Sequence, residues 1–318
     1  MKIVVIGATG HVGGYLVPRL VNAGHEVVAI SRGTSNPYRA DPAWERAEIV
    51  IADREAEDAA GTFGARIAAL NADVVVDMIC FTSGSAKQLV DAIRGRSQLV
   101  MCTTIWVYGT LTAVPAVEAE AESSTPWGEY GTGKAAIERL LRNESENGFT
   151  SRVLRPGHIS GPGWSIVNPQ ANFDLGVWET LASGGTLPLP NLGLETVHHV
   201  HADDVAQAFA LAVEAGRPDR TEFYNIVSER ALTLRGFAEA AAGWFGREAA
   251  IEFLPFDQFR TRVTPWDFET TWEHAARSHS MSIEKARNDL GYVPAHTSLE
   301  AVREAVDWLN ADGQIRVP

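Results

Sequence analysis

The most constraining feature of this chain is a glycine turn between a buried strand and a helix. Residues 2–6, KIVVI, form a continuous apolar run rich in β-branched side chains, typical of a strand buried on both faces of a parallel sheet. Gly7, Gly10 and Gly13 then give the pattern G-x-x-G-x-x-G, and apolar residues recur at helical spacing over 12–23. HEVVAI predicts a second strand. Strand, glycine turn, helix and strand within about 30 residues indicate a dinucleotide site.

The glycines suit a pyrophosphate for physical reasons. They permit a tight turn and a close approach of the backbone to the phosphates, and the helix directs its N-terminal N–H groups and positive dipole end at them. A ligand-free turn is the alternative, and three glycines in register are a costly way to make one. The residues assigned to the cofactor in this turn are Gly7, Thr9, Gly10, His11, Val12 and Gly13.

The second strand ends in Ser31-Arg32-Gly33, and this ending bears on the cofactor. A site that prefers NAD usually holds a carboxylate here, bonded to the ribose 2′-hydroxyl. This chain has Ser31 and Arg32 instead, and both can donate hydrogen bonds to a 2′-phosphate. We therefore expect NADP to be preferred, with NAD bound without an acidic partner as the alternative.

The alternation of strands and helices continues to residue 109. Residues 47–54, 72–80 and 97–109 contain strand-like runs, with helical patterns between them. This order predicts an α/β fold with a Rossmann-type doubly wound parallel sheet. Ligands in such sheets bind beyond the carboxyl ends of the strands. The residues assigned to the cofactor on this ground are Asp53, placed near the adenine ring, Arg54, Phe81 and Thr103.

The composition limits the class of partner. The 318 residues carry a net charge of −13, so the chain has no electrostatic reason to hold nucleic acid or an anionic membrane. No segment approaches the roughly 20 apolar residues of a membrane span, and we identify no signal peptide. Cys80 and Cys102 lie in apolar segments, which favours buried free thiols. We expect a cytoplasmic protein that acts on a small molecule.

Tyr130 and Lys134 stand four residues apart at the start of an amphipathic segment, GEYGTGKAAIERLL. They share a helix face, but spacing alone does not separate a catalytic pair from a surface pair. The other motifs of the chain favour a catalytic pair, because together they resemble the extended short-chain dehydrogenase/reductase family, also called the NAD(P)-dependent epimerase/dehydratase family. The resemblance rests on G-x-x-G-x-x-G at 7–13, TTIWVYG at 103–109, Y-x-x-x-K at 130–134, LRPGHISGPG at 154–163, VHADDVAQAF at 200–209, FYNIVSE at 223–229 and SIEKARNDLGYVP at 282–294.

The resemblance implies a role for each matching residue. Tyr130 matches the catalytic tyrosine, which exchanges a proton with the substrate oxygen. Lys134 matches the lysine that bonds the nicotinamide ribose and lowers the pKa of the tyrosine. Thr104, next to Thr103, matches the residue whose hydroxyl orients the substrate carbonyl or alcohol. We also assign Tyr130, Lys134, Pro156 and His158 to the cofactor site.

Three departures from the family pattern bear on the substrate. Gly133 replaces the usual serine, His158 stands where the sugar-nucleotide branch commonly has asparagine, and LETVHHVHADD at 194–204 lacks that branch's arginine. A diphosphate substrate would need such a cation, so a nucleotide-sugar role is disfavoured. The nine tryptophans suggest either an apolar or aromatic substrate or ordinary core packing. The candidate substrate-binding residues are Trp106, Trp127, His158 and Trp178.

The resemblance also implies two parts of the chain. Residues 1–172 form the Rossmann domain, and 196–227 return to it. Residues 173–195 and 228–318 form a smaller C-terminal α/β cap that covers the substrate. Members of the family often pair through the helices after strands four and five, so we expect a homodimer.

The segment HHVH at 198–201 raises the question of a metal. On a strand, His199 and His201 share a face, and Asp203 and Asp204 follow. No third ligand is evident from the spacing. We therefore predict no metal site.

Three functions remain open at this point. The first is an NAD(P)-dependent oxidoreductase that moves a hydride between nicotinamide and a carbonyl or alcohol carbon, with Tyr130 as general acid or base. The second is a sugar or nucleotide-sugar epimerase or dehydratase that retains NAD. The third is a non-catalytic binding protein, either cofactor-sensing or RNA-associated. The Ser31-Arg32 ending and the missing cation favour the first.

Overall fold

The computed structural model describes residues 1–37 and 39–318. The strands, in chain order, are β1 (Lys2–Ile6), β2 (Glu26–Ser31), β3 (Glu48–Ile51), β4 (Val74–Asp77), β5 (Gln98–Cys102), β6 (Ser151–Pro156), β7 (His158–Ser160), β8 (Thr186–Pro190), β9 (Thr196–Val197), β10 (His199–His201), β11 (Glu222–Ile226), β12 (Leu232–Thr233) and β13 (Ala250–Leu254).

The helices lie mostly between these strands. They are α1 (Gly13–Asn22), α2 (Arg54–Ala59), α3 (Phe63–Ala69), α4 (Ser83–Ile93), α5 (Glu120–Ser123), α6 (Glu129–Glu146), α7 (Gly176–Ser183), α8 (Ala202–Glu214), α9 (Leu234–Trp244), α10 (Phe256–Phe259), α11 (Pro265–Ala275), α12 (Glu284–Leu290) and α13 (Ser298–Ala311), with short 3-10 helices at Pro42–Arg46 and Ile105–Val107. Among the described residues, none of these helices is both long and apolar enough to cross a membrane.

The centre of the molecule is a seven-stranded parallel sheet in the order β11-β6-β5-β4-β1-β2-β3. β1 lies inside the sheet, with Ile3 paired to Val27 on one side and to Val74 on the other. The strand order reverses at β1, which puts the glycine turn at the switch point where such sheets bind ligands. The predicted Rossmann-type fold is confirmed.

Helices cover both faces of this sheet, and the alternation of side chains along β1 shows why. Ile3 and Val5 join a core with Leu16 of α1 and Phe209 of α8. Val4 and Ile6 face the opposite way, into a core that includes helices α3, α4 and α6. Since both of its faces are buried, β1 is apolar at every position from Ile3 to Ile6.

A third core lies in the cap and includes Trp178, Phe237 and Val306. The boundary between the cap and the Rossmann domain differs from the predicted one in two ways. Ile166 and Val167, which precede residue 173, join the cap core. The segment from Met281 to Tyr292 instead packs into the core of the central sheet. Within the segment 196–227, β11 is the seventh strand of the central sheet, whereas β10 lies outside that sheet and pairs with β7.

Both cysteines are buried free thiols, as predicted. Burial raises the pKa of Cys80 to about 12 and that of Cys102 to about 11. The thiolate is the reactive form of cysteine, so both side chains act as small apolar groups at neutral pH.

Candidate active site

The glycine turn has the geometry of a phosphate cradle. Gly7 adopts a positive φ of 87°. A Cβ at Gly13 would lie 2.8 Å from the Gly7 carbonyl oxygen and closer still to that of Ala8, so only glycine fits. Val12, the N-cap of α1, makes no side-chain cap, and in the first turn the N–H groups of Gly14 and Tyr15 bond to the carbonyl oxygens of Gly10 and Val12. The positive end of the helix dipole still faces the turn, where it favours an anion. These residues fit a dinucleotide pyrophosphate.

His11 closes one side of this turn. Its Nε2 lies 3.0 Å from the Pro162 carbonyl oxygen, and its ring stacks on Trp164 at 5.4 Å between centroids. Desolvation lowers the pKa of His11 to about 4, so the ring is neutral near pH 7. The turn is thereby joined to the loop that follows β7.

The residues assigned to the adenosine end lie at the carboxyl ends of β2 and β3. The Ser31 hydroxyl accepts a hydrogen bond from the Gly33 N–H at 3.3 Å, and Arg32 is exposed. Asp53 caps α2 by accepting from the Ala56 N–H at 3.1 Å. Arg54 differs from the prediction. It is buried and paired with Asp77 and Asp58, which balance its charge inside the protein.

Thr104 and Tyr130 come together beyond the end of β5. The Thr104 hydroxyl accepts from the Trp106 N–H at 3.3 Å, and the Trp106 ring meets the Tyr130 ring edge-on at 5.9 Å. Tyr130 is the second residue of α6, whose first turns approach the Ile105–Val107 segment closely: a Cβ at Gly131 would lie 2.7 Å from the Trp106 carbonyl oxygen. The start of α6, which carries the predicted acid–base residue, is thereby packed against the segment that follows Thr104.

The pKa of Tyr130 moves opposite to the expected direction. The residue is 45% exposed, yet loss of water around the hydroxyl raises its pKa to about 12, against the lowering effect of the Thr104 hydrogen bond. Lys134 does not lower it here, because its Nζ donates to the carbonyl oxygens of Cys80 at 2.8 Å and Cys102 at 3.0 Å. That nitrogen lies 5.8 Å from the centre of the Tyr130 ring. Tyr130 is thus a protonated phenol at neutral pH.

Lys134 lies between the carboxyl ends of β4 and β5. It is buried, and its Nζ is 4.7 Å from the centre of the Phe81 ring. Phe81 itself is exposed, near the end of the loop that joins β4 to α4. The glycine at position 133 is explained by local packing, because a Cβ there would lie 3.2 Å from the Phe81 carbonyl oxygen.

Thr103 differs from its predicted cofactor role. Its hydroxyl points into the protein and donates to Glu138 Oε1 at 2.8 Å. Arg155 also binds Glu138, through Nε to Oε1 at 2.9 Å and Nη2 to Oε2 at 2.7 Å. Glu138 was missed by the sequence analysis, although Tyr130, Lys134 and Glu138 follow at intervals of four on α6.

Pro156 ends β6 and His158 begins β7, on the side of the site that faces the cap. The His158 Nδ1 lies 3.1 Å from the His198 carbonyl oxygen. Its Nε2 is buried and has no hydrogen-bond partner among the described residues. Desolvation, with His274, His199 and His279 nearby, lowers the pKa of His158 well below its ordinary value.

The aromatic residues divide between the site and the cap core. Trp106 meets the Tyr130 ring edge-on at 5.9 Å and the His274 ring at 5.2 Å. Trp178 is wholly buried and packs on Phe237 in the cap core, so the structure does not place it in a substrate site. Trp106 and Trp178 thus differ in what their side chains pack against, and the composition of the sequence does not reveal this difference.

The metal question also has a structural answer. His201, His296 and Glu304 offer three ligand atoms within 4.8 Å of one another. However, the His201 Nδ1 accepts the Asp203 N–H at 3.0 Å, so the proton of the neutral ring is on Nε2. That Nε2 lies 3.2 Å from a Glu304 oxygen, to which it donates. A metal on Nε2 would require that nitrogen to release its proton, and the proton of the neutral ring would then lie on Nδ1, facing the Asp203 N–H.

With fold and site described, the family follows. The model of the NAD dependent epimerase/dehydratase family matches residues 3–226, and the chain belongs to this family. It is an enzyme of the extended short-chain dehydrogenase/reductase type.

Individual proteins show how broad the family is. The chain is 27% identical to the chloroplast stem-loop binding protein of 41 kDa b of Arabidopsis thaliana over 317 residues, covering 96% of this chain and 78% of that protein. It is 28% identical to 2'-dehydrokanamycin reductase of Streptomyces kanamyceticus over 280 residues, covering 84% and 76%. The structure of UDP-glucose 4-epimerase with UDP-glucose from Thermotoga maritima has a TM-score of 0.72 at 20% identity, covering 98% of this chain and 99% of that one. This last likeness is one of fold.

Proposed function

We propose that this enzyme is an NADP(H)-dependent reductase that converts a carbonyl group of a small molecule to an alcohol. The nicotinamide, when bound, supplies the hydride. Tyr130 donates the proton to the substrate oxygen, Thr104 holds that oxygen by its hydroxyl, and Lys134 orients the ribose and the end of α6.

The observation that carries the proposal is the position of Tyr130 at the start of α6, which packs closely on the Ile105–Val107 segment that follows Thr104. A phenol with a pKa of about 12 holds its proton at neutral pH and so has a proton to donate. Reduction of a carbonyl needs a proton at the oxygen, so this protonation state supports the reductive direction. The likeness to a reductase over 84% of the chain points the same way.

The preference for NADP rests on the end of β2. Arg32 is exposed there, beside Ser31, and no acidic residue occupies either position. An arginine binds a phosphate through charge-assisted hydrogen bonds. The family as a whole uses NAD, so the 2′-phosphate is the part of the cofactor that this chain's own residues would select.

Two other functions have observations in their favour. The likeness to UDP-glucose 4-epimerase supports an epimerase that retains NAD. The likeness to a stem-loop binding protein supports an RNA-associated role. A net charge of −13 opposes RNA, because phosphate contacts supply most of the affinity for nucleic acid.

The test is NADPH oxidation by the Tyr130→Phe enzyme, with aldehydes and ketones as substrates. Removing the proton donor should lower kcat by roughly 100-fold or more while NADPH still binds. Tyr224→Phe is the control, since Tyr224 lies on the outer strand β11 with Lys285 4.2 Å from its ring centre. A Tyr130→Phe enzyme as active as this control would refute the proposal.

A further inference from the structure

Arg277 follows α11 in the cap and lies between two tryptophan rings. Its side chain is wholly buried. The guanidinium carbon lies 4.0 Å from the centre of the Trp106 ring and 4.1 Å from that of Trp127. Both distances are well inside the range of a cation–π contact.

Hydrogen bonds fix the guanidinium in this position. Nη1 donates to the Glu273 carbonyl oxygen at 2.6 Å and to the Glu273 carboxylate. Nη2 donates to the Trp127 carbonyl oxygen at 2.8 Å. One side chain therefore ties together α11, the segment just before α6 and the 3-10 helix after β5. These are the segments that carry His274, Tyr130 and Trp106.

The charge of Arg277 is balanced where it lies. Glu273 pairs with the guanidinium, and tryptophan rings lie against it at both sides. The neighbouring rings add no charge, because burial lowers the pKa of His274 to about 4 and those of His158 and His279 well below the ordinary value. The two rings that follow one another from Tyr130, those of Trp106 and His274, are thus uncharged.

We propose that Arg277 is a positioning residue that holds Trp106 and Trp127 against the catalytic helix, and that the site so formed takes an uncharged carbonyl compound with a flat ring. The ring packs on Trp106 beside the Tyr130 hydroxyl, where the carbonyl is protonated. This inference rests on the proposed function. The Arg277 guanidinium is already paired with Glu273, so it is not available to bind the diphosphate of a nucleotide.

The first test is binding, which does not depend on turnover. Benzamide and UDP-glucose are titrated separately into the NADP⁺-saturated protein, with tryptophan fluorescence as the signal. Benzamide should quench it saturably and UDP-glucose should not. Arg277→Met should weaken benzamide binding about tenfold, whereas Arg262→Met, which removes a surface pair with Glu252, should not. Arg277→Lys should resemble the methionine variant, because lysine lacks the flat surface that stacks on both rings.

The second test separates positioning from general damage. With benzaldehyde and NADPH, Arg277→Met should raise the KM for benzaldehyde about tenfold, with kcat and the KM for NADPH nearly unchanged. If the wild-type protein reduces no carbonyl compound, the proposed function fails while the benzamide titration still decides the present inference. If neither Arg277 variant folds, the selectivity of the wild-type protein decides it.

Two results would overturn the inference. One is equal affinity of Arg277→Met and wild-type protein for benzamide. The other is saturable binding of UDP-glucose to the wild-type protein, and especially its loss in Arg277→Met alone, which would make Arg277 a diphosphate ligand.

Discussion

The Nζ of Lys134 lies 3.0 Å from the carbonyl oxygen of Cys102, the last residue of β5. A second hydrogen bond, to the Cys80 carbonyl oxygen at 2.8 Å, joins the same nitrogen to the segment after β4. α6 is thereby attached to the carboxyl edge of the sheet, one turn below Tyr130. Lys134 therefore has a structural role in addition to the cofactor-binding role that the family pattern assigns to it.

Lys134→Met should therefore reduce both stability and activity. It leaves two buried carbonyl groups without a donor, and each such loss costs about 1–3 kcal/mol. Urea unfolding monitored by circular dichroism measures the change. Lys87→Met, on the exposed face of α4 where Lys87 pairs with Asp91, should change stability by less than about 1 kcal/mol. Equal stability of the two variants would show that the Lys134 hydrogen bonds contribute nothing.

Gly13→Ala should abolish cofactor binding. The new Cβ would meet the carbonyl oxygens of Ala8 and Gly7, so the turn must open. Gly243→Ala is the matched control, because that position in α9 has nothing within 4 Å of a new Cβ. It should stabilise the protein by up to about 1 kcal/mol. Calorimetric titration with NADPH checks both, and tight binding by Gly13→Ala would contradict the assigned phosphate cradle.

Arg32→Ala should change the choice of cofactor. Loss of a charge-assisted hydrogen bond to the 2′-phosphate should weaken NADPH binding about tenfold or more and leave NADH binding unchanged. Arg96→Ala, at the amino end of β5 and far from the carboxyl edge of the sheet, serves as control. An equal loss for both cofactors would remove the basis for preferring NADP.

Glu138→Gln should destabilise the fold strongly. Arg155 is wholly buried and its charge is balanced by this carboxylate, so the variant leaves an uncompensated buried charge. Breaking such a pair costs about 3–5 kcal/mol. Glu122→Gln, which removes an exposed pair with Arg142, should cost less than about 1 kcal/mol. A shift in the urea midpoint that is the same for both would contradict the importance of the buried pair.

Stability should fall as the pH is lowered from 6.5 toward 5. Burial lowers the pKa of His198 and His274 to about 4 and that of His199 to about 3, from an ordinary value of 6.5. In this pH window the histidines of the unfolded chain bind protons and those of the folded protein do not. Each ring therefore lowers the free energy of unfolding by up to about 1.4 kcal/mol for each pH unit of acidification.

His198 shows the physical cause. Its Nδ1 accepts the Met281 N–H at 3.0 Å, and its Nε2 donates to the Ser228 carbonyl oxygen at 2.9 Å, so a second proton would break a bond. Urea unfolding at pH 7.5, 6.5 and 5.5 measures the slope. His198→Gln should reduce this slope. Constant stability over this range would be inconsistent with buried neutral rings.

The sheet and the glycine turn were predictable because their signals are local. Apolar runs, glycine spacing and helical periodicity each occupy a few adjacent residues. The direction of side chains was not predictable in this way. Thr103 and Thr104 are neighbours, yet one hydroxyl donates to Glu138 and the other accepts from the Trp106 N–H. Arg277 was missed because its partners Trp106 and Trp127 lie more than a hundred residues away in sequence.

The cofactor that leaves the freshly purified protein on denaturation, identified and counted by mass spectrometry, tests the proposed function most directly. A reductase that exchanges NADP(H) at each turnover should release much less than one equivalent of dinucleotide, and NADPH should then bind more tightly than NADH in titration. One full equivalent of NAD, retained through purification and unchanged by turnover, would contradict this and identify an epimerase or dehydratase.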